Sequence, residues 1–185
     1  MDAVVSKRMI TASEYHQMGE VGIIRPEERV ELINGEIITM SPKGTKHAKV
    51  VRQLTKWFYH NHVDGPFEII VQDPIVLSDH SEPEPDLAIT NKTDGFEHPK
   101  AQDVVLVIEV ADTSLLYDTT TKLELYAAEA IPEYWVVDIE NVRVFVFSEP
   151  AQGTYQKSAT YYSSDTIQYQ RLTLEVRDII PQKQV

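Results

Sequence analysis

The hydrophobic pattern organises the chain around Val104 to Tyr126, where an apolar run, VVLVIEV, leads into ADTSLLYDTTTKLELY. Extended backbone sends successive side chains to opposite faces. Val104, Leu106, Ile108 and Val110 then share one face, and Val105, Val107 and Glu109 the other. Both faces are otherwise apolar, which predicts a strand buried within a sheet. Glu109 is the exception. An ionised carboxylate in an apolar layer is costly unless it is neutralised, paired or bound to a metal. A helix predicted from about Thr119 to Ala130 offers Lys122 as partner, with Asp118 and Tyr126 one turn to either side on the same face.

The same reading orders the rest of the chain. Thr11-Ala12-Ser13-Glu14 is a capping-box pattern and starts a short helix to about Met18. VELINGEIITM gives two short strands joined by Asn34-Gly35, a strong two-residue hairpin signal. Counting back from that turn pairs Ile33 with Glu36, Leu32 with Ile37 and Glu31 with Ile38. Glu31 then lies on a face with Ile33, Ile38 and Met40, a second candidate for a buried acid. From Thr45 to about His60, Val50, Val51, Leu54, Trp57 and Phe58 form the inward stripe of a helix, with His47 on that stripe one turn earlier.

Gly65-Pro66 stops the chain, FEIIVQ reads as a strand, and Pro74 interrupts before IVL. SDHSEPEP is a turn-rich connection in which Glu82 and Glu84 read as exposed charges. Pro85-Asp86 leads into the short strand LAI, and residues 90–103 form a polar loop. Ile131-Pro132 ends the later helix, and EYWVVD is a buried strand. A tight turn from Asp138 to Asn141 leads to VRVFVF, predicted to pair antiparallel with it. TYYSS and LTLEV read as a hairpin or meander near a sheet edge, with Ile179-Ile180 tucked in at the end. This interleaving predicts an α/β fold, a mixed central β-sheet flanked by helices, with an N-terminal helix and hairpin.

Composition narrows the class. The chain has 185 residues, 42% of them hydrophobic, and the expectation is one globular domain with an ordinary core. There is no run long enough to span a membrane, and MDAVVSKRMITASE lacks the apolar stretch of a signal peptide. No cysteine is present, which removes disulfides, zinc-thiolate sites and cysteine nucleophiles and makes the cytoplasm the expected location. The formal net charge is −12. That balance opposes a broad basic face for phosphate backbones. Chemistry on nucleic acid would need bound cations at the site, or a local basic groove that the totals hide.

Asp86 and Glu109 each sit on a short strand with a loop between, so adjacent strands can bring them together at one sheet end. Oxygen-only ligands suit Mg²⁺ or Mn²⁺. Lys122 could reach the same point and orient a water, a set suited to in-line phosphodiester hydrolysis. Each residue also has a plainer reading. Asp86 can cap a turn after Pro85, and Glu109 with Lys122 can be a structural ion pair. Lys122 can pair with Asp118 in solvent, and Glu31 can be a cross-strand surface acid. His47 reads as a core or site-edge histidine, with direct proton transfer as the sharper alternative. Tyr126 reads as packing, its hydroxyl near Lys122.

These residues carry a resemblance. Pro85-Asp86 followed by an acid on the next strand looks like the PD-(D/E)XK nuclease superfamily. ELINGEI, a helix His, PEPDLAI, VIEVADTS and DTTTKLELYAAEAIPEYWVVD resemble, in order, the Uma-two family of restriction endonuclease-like proteins. The match runs roughly from Thr11 to Pro181. It implies a restriction endonuclease-like core and metal-dependent cleavage of nucleic acid, DNA foremost. Asp86 and Glu109 match the family's acids for Mg²⁺ or Mn²⁺. Lys122 matches a relocated lysine, since the position two residues after Glu109 is Ala111. Glu31 corresponds to an additional acid and His47 to the helix histidine. Asp112-Thr113-Ser114 departs from the family's usual Ser-Pro-Ser. A homodimer is implied by the resemblance alone, because many such nucleases cut as dimers. Two other readings stand beside it: a catalytically silent binding or assembly module of the same fold, and a metal-dependent hydrolase of a small phosphoester.

Overall fold

The computed structural model describes residues 6–62, 65–92, 95 and 97–180, so Pro181, the far end of the resemblance, lies outside the described residues. The capping box forms as expected: Thr11 accepts from the Glu14 N–H, Glu14 accepts from Thr11, and helix α1 runs Ala12–Glu20. Strands β1 (Val30–Ile33) and β2 (Glu36–Thr39) pair in the register counted from the turn, Glu31 opposite Ile38. Asn34 and Gly35 both take positive φ, 49° and 72°, as a type I′ turn requires. A Cβ on Gly35 would lie 2.7 Å from that of Met9, so the N-terminal segment seats directly on the turn.

Helix α2 (Thr45–His62) precedes β3 (Phe67–Val71), β4 (Leu87–Asn91) and β5 (Val104–Ala111). A short α3 (Leu115–Tyr117), a π-helical turn (Asp118–Lys122) and α4 (Leu123–Ala128) cross to β6 (Glu133–Asp138). Strands β7 (Arg143–Ala151) and β8 (Thr154–Tyr162) follow, then a separate hairpin of β9 (Thr166–Tyr169) and β10 (Leu172–Glu175), and α5 (Val176–Ile179). The main sheet has the order β3-β4-β5-β6-β7-β8, and only β5 and β6 run parallel. That mixed sheet with helices is the expected architecture.

Two apolar layers sandwich it. On one face Val50, Leu54 and Phe58 of α2 pack with Leu106, Ile108 and Val110 of β5, Trp135 of β6, and the β9–β10–α5 unit. On the other, Leu125 and Tyr126 of α4 pack with Val107, Tyr134, Val136 and the hairpin residue Ile33. Such burial is worth roughly 1.5–3 kcal/mol per large side chain, and Trp135, Tyr126, Tyr134 and Phe58 are fully enclosed.

The structure corrects three expectations. Val104 lies with Val107, not with Leu106 and Ile108, while Val105 joins the α2 side. A β-bulge explains this: Ile89 faces Leu106 but Thr90 faces Val104, so one extra residue reverses the alternation. The crossover helix begins at Leu115, not Thr119, and reaches Lys122 through the π turn. Glu82 is buried, its carboxylate 2.8 Å from His16 Nε2, and Glu84 is half-buried against Arg29 and Lys43, so neither is an exposed turn charge.

Candidate functional site

Asp86 and Glu109 meet because β4 and β5 are neighbours and Leu87 pairs with Ile108. The two acids are laced through the backbone. The Val110 N–H donates to Asp86 Oδ2 at 2.9 Å, and the Asp86 N–H reaches Glu109 Oε2 at 3.4 Å. His47, from the first turns of α2, places Nε2 2.9 Å from Asp86 Oδ2, and the Gln72 amide donates to Oδ1 at 3.1 Å. Burial pushes the Asp86 carboxyl up, but His47, the Val110 N–H and Gln72 outweigh it and hold the group below its usual value. Asp86 is therefore ionised.

Glu109 points to the α4 side of the sheet. Lys122 donates to its Oε1 at 2.9 Å, and so does the Tyr126 hydroxyl, also at 2.9 Å. The same Lys122 ammonium lies 3.1 Å from Glu31 Oε2, which also accepts the Glu84 N–H at 3.3 Å. Asp118 is buried and takes the Ser114 hydroxyl at 2.5 Å. The fold thus gathers Glu31, His47, Asp86, Glu109, Asp118, Lys122 and Tyr126, from hairpin, helix, two strands and crossover, at one place.

Charge here is unbalanced. Three buried acids, Glu31, Glu109 and Asp118, share one buried ammonium, with Asp86 beside them on His47, a costly arrangement in a low-dielectric setting. Burial pushes Glu109 up, to about 8; Lys122 pulls it back, while Asp118, Asp86 and Glu31 add repulsion. Burial likewise raises Asp118, to about 6, against Lys122 and Ser114. Lys122 gains from all its carboxylates at once, so although burial lowers it, Glu109, Glu31 and Asp118 raise it well above its ordinary value. The ammonium stays charged, and the acids carry the surplus.

A cleft of about 410 Å³ opens onto Glu31, Asp86, Glu109 and Lys122. Two oxygens have coordinating capacity left. Among the described residues, Asp86 Oδ1 takes only the Gln72 amide, with Lys43 at 3.9 Å, and Glu109 Oε2 meets only the long backbone contact. Among the described residues no three His, Asp or Glu side chains form a group that could hold an ion by themselves. This donor set does not suit a closed protein cage. It does suit Mg²⁺ or Mn²⁺, which bind through one or two carboxylates and keep several waters. The surplus negative charge is what such an ion would offset.

Residues unanticipated from the sequence also line the cleft: Arg29, Lys43, Glu84 and Tyr117. The Tyr117 hydroxyl and His47 Nδ1 are buried without hydrogen-bond partners among the described residues. The signal for Lys43 was its place in Ser41-Pro42-Lys43-Gly44, the loop leading to the helix that carries His47. Arg29 and Glu84 are joined across 55 residues and gave no local signal.

A mixed sheet with two acids at the ends of adjacent strands, and a lysine delivered by the crossover helix, defines a restriction endonuclease-like α/β protein. The chain belongs to the Uma2 family, described as "Putative restriction endonuclease", whose profile matches residues 12–178. In structure it is similar to a "putative nuclease belonging to DUF820" from Anabaena variabilis, with a TM-score of 0.74 and 16% identity, covering 92% of this chain and 97% of that one. No curated relative matches the sequence. Among the described residues no helix is long and apolar enough to cross a membrane.

Proposed function

We propose that this chain is a divalent-metal-dependent nuclease that hydrolyses phosphodiester bonds, with DNA as its substrate. The observation that carries the reading is that Asp86 and Glu109 line one cleft beside a charged Lys122, each with a carboxylate oxygen, Oδ1 and Oε2, that has few protein partners among the described residues. Membership of a family described as "Putative restriction endonuclease" supports the same class. Asp86 and Glu109 would hold Mg²⁺ or Mn²⁺. Such an ion, when bound, supplies Lewis-acid stabilisation of charge on the phosphate and eases deprotonation of water.

The chain's own residues supply the rest. Lys122 offsets charge developing on the phosphate and directs a water toward it. Glu31, on the far side of that ammonium, fixes its position and accepts a hydrogen bond from the attacking water. Tyr126 holds the Glu109 carboxylate through Oε1, and His47 with the Val110 N–H holds Asp86 through Oδ2, which leaves Oδ1 to the Gln72 amide and to an ion. Tyr126, His47 and the Val110 N–H act as positioning groups. Asp118, held by Ser114, deepens the negative field that draws in the cation.

Calorimetric titration with Mn²⁺ tests the core of this, comparing the wild type with Asp86→Ala. Equal binding by both removes every metal-dependent reading. Nicking of plasmid DNA with Mg²⁺ or Mn²⁺ should then fall to background in Asp86→Ala and Glu109→Ala, and by at least about 10²-fold in Lys122→Ala, the size of loss seen when one charge-stabilising group is removed. One observation favours a second reading: Lys122 already bridges Glu31 and Glu109, an arrangement complete as a structural ion pair. Under that silent-module reading, Mn²⁺ binding and nicking are both absent.

A further inference from the structure

The formal charge of −12 speaks against a polyanionic partner, yet the charge is not evenly spread. Helix α2, TKHAKVVRQLTKWFYHNH, contains no Asp or Glu in 18 residues. The chain holds 29 acids and 17 Lys plus Arg, and four of those cations, Lys46, Lys49, Arg52 and Lys56, are on this one helix. All four are exposed. At about 100° per residue they fall within an arc of about 120°, opposite the stripe of His47, Val50, Val51, Leu54 and Phe58 that packs inward.

None of the four is neutralised. Among the described residues, no carboxylate lies within ion-pair distance of Lys46, Lys49, Arg52 or Lys56, although Glu68 of β3 and Asp178 of α5 belong to elements packed against α2. Elsewhere the chain pairs its cations readily: Lys7 with Glu36, Arg8 with Glu14, Arg143 with Asp138, Lys157 with Glu149. The stripe starts at the cleft. Gly44 and His47 line it, and Lys43, just before the helix, sits 3.3 Å from Glu84 and 3.9 Å from Asp86 at its mouth.

We infer that the outer face of α2 is a docking track for the phosphate backbone of a nucleic acid, leading from Lys56 and Arg52 down to Lys46 and Lys43 at the cleft. The inference rests on the nuclease reading for its direction, and supplies the basic footprint that the total charge conceals. From Lys46 to Lys56 the helix rises about 15 Å, the axial span of about four phosphates on one strand of a duplex. Cations matched to phosphates fix register without reading sequence. A basic amphipathic helix can also lie on an anionic membrane, but that mode buries the helix's apolar face in lipid. Here Val50, Leu54 and Phe58 are already fully buried in the core, so the face left outside is polar apart from Tyr59, which is half-exposed at the edge of the basic stripe. The geometry favours the polyanion.

The test is fluorescence anisotropy of the full chain with a labelled DNA duplex, in chelator, between about 50 and 200 mM salt. Four phosphate contacts give a log–log salt slope of about −3.6. Lys49→Glu/Arg52→Glu should weaken binding at least about tenfold and reduce that slope by about 2. Lys157→Glu, on the far sheet edge, should bind like the wild type. Calorimetric Mn²⁺ affinity and the thermal midpoint should not move; if the reversed variant fails to fold, Lys49→Gln/Arg52→Gln makes the same comparison with half the charge change.

An unchanged slope and affinity in the α2 variants overturns the inference, as does an equal loss in Lys157→Glu. Stripe-dependent binding to phosphatidylserine vesicles without binding to the duplex overturns it in favour of a membrane. The outcome is separable from that of the nuclease reading. Stripe-dependent DNA binding without nicking sinks the enzyme and keeps the track; nicking unaffected by the α2 variants at every salt concentration does the reverse.

Discussion

The two sides of helix α2 present opposite electrostatic problems. On the sheet side, beyond His47 and its partner Asp86, three buried acids crowd around the single ammonium of Lys122. On the solvent side, four cations stand without a single acid among them. The first imbalance is buried, where unpaired charge costs several kcal/mol. The second is in water, where it costs little. An expensive surplus of charge demands a partner for stability. An inexpensive one persists without a partner and is available for binding.

Removing Lys122 should show the contrast most strongly. Lys122→Met leaves Glu31 and Glu109 facing each other without their shared cation and should cost about 3–5 kcal/mol in urea unfolding. Adding Glu31→Gln and Glu109→Gln to the same variant should recover most of that loss, because an uncharged cluster needs no counter-ion. A small loss in the single variant would mean the cluster is wetter than its burial indicates.

Proton linkage gives a smaller effect of defined sign. Burial holds Asp118 at about 6 and Glu109 at about 8, both above their ordinary values. The folded chain without metal therefore binds these protons more tightly than the unfolded chain does. Stability should fall as pH rises from about 4, through 6, to about 8. Lys122, raised instead, keeps its contribution throughout that window. Asp118 alone accounts for a loss on the order of 2–3 kcal/mol, and saturating Mn²⁺ should flatten the curve. Chelated protein that grows more stable over this range would contradict the picture of under-neutralised acids.

The solvent side should respond least. Reversing Lys49 and Arg52 changes unfolding free energy by no more than about 0.5 kcal/mol each, with any change depending on ionic strength. A loss of several kcal/mol there would show that the stripe is part of the fold's own stabilisation.

Much of this arrangement can be read from the chain because its signals are local. Asn34-Gly35 fixes the hairpin register since the turn admits only one pairing, and that places Glu31. The apolar run around Glu109 marks its burial, and Lys122 and Tyr126 lie one helical turn apart. What escapes reading depends on distant partners. Glu82 and Glu84 look solvated among prolines, but His16, Arg29 and Lys43 approach them across 66, 55 and 41 residues. The bulge opposite Thr90 replaces no glycine or proline, so nothing in the string announces that Val104 turns over. The basic face of α2 is written in the missing acids of residues 45–62, but a net charge of −12 averages it away over the whole chain.

The π turn at Asp118–Lys122 has a consequence for chain length. A wider turn holds one more residue per lap than a regular helix, and here it falls across Thr119, Thr120 and Thr121. Deleting one of these threonines would let the segment tighten into an ordinary spiral with Lys122 on nearly the same face, whereas adding a fourth threonine, with the wide turn already filled, would swing Lys122 by about 100° relative to Asp118. The ammonium would then leave Glu109 although no named side chain at the centre had been altered. The weak point of this centre is therefore spacing as much as identity, and a single-codon gain in a run of identical residues would reach it.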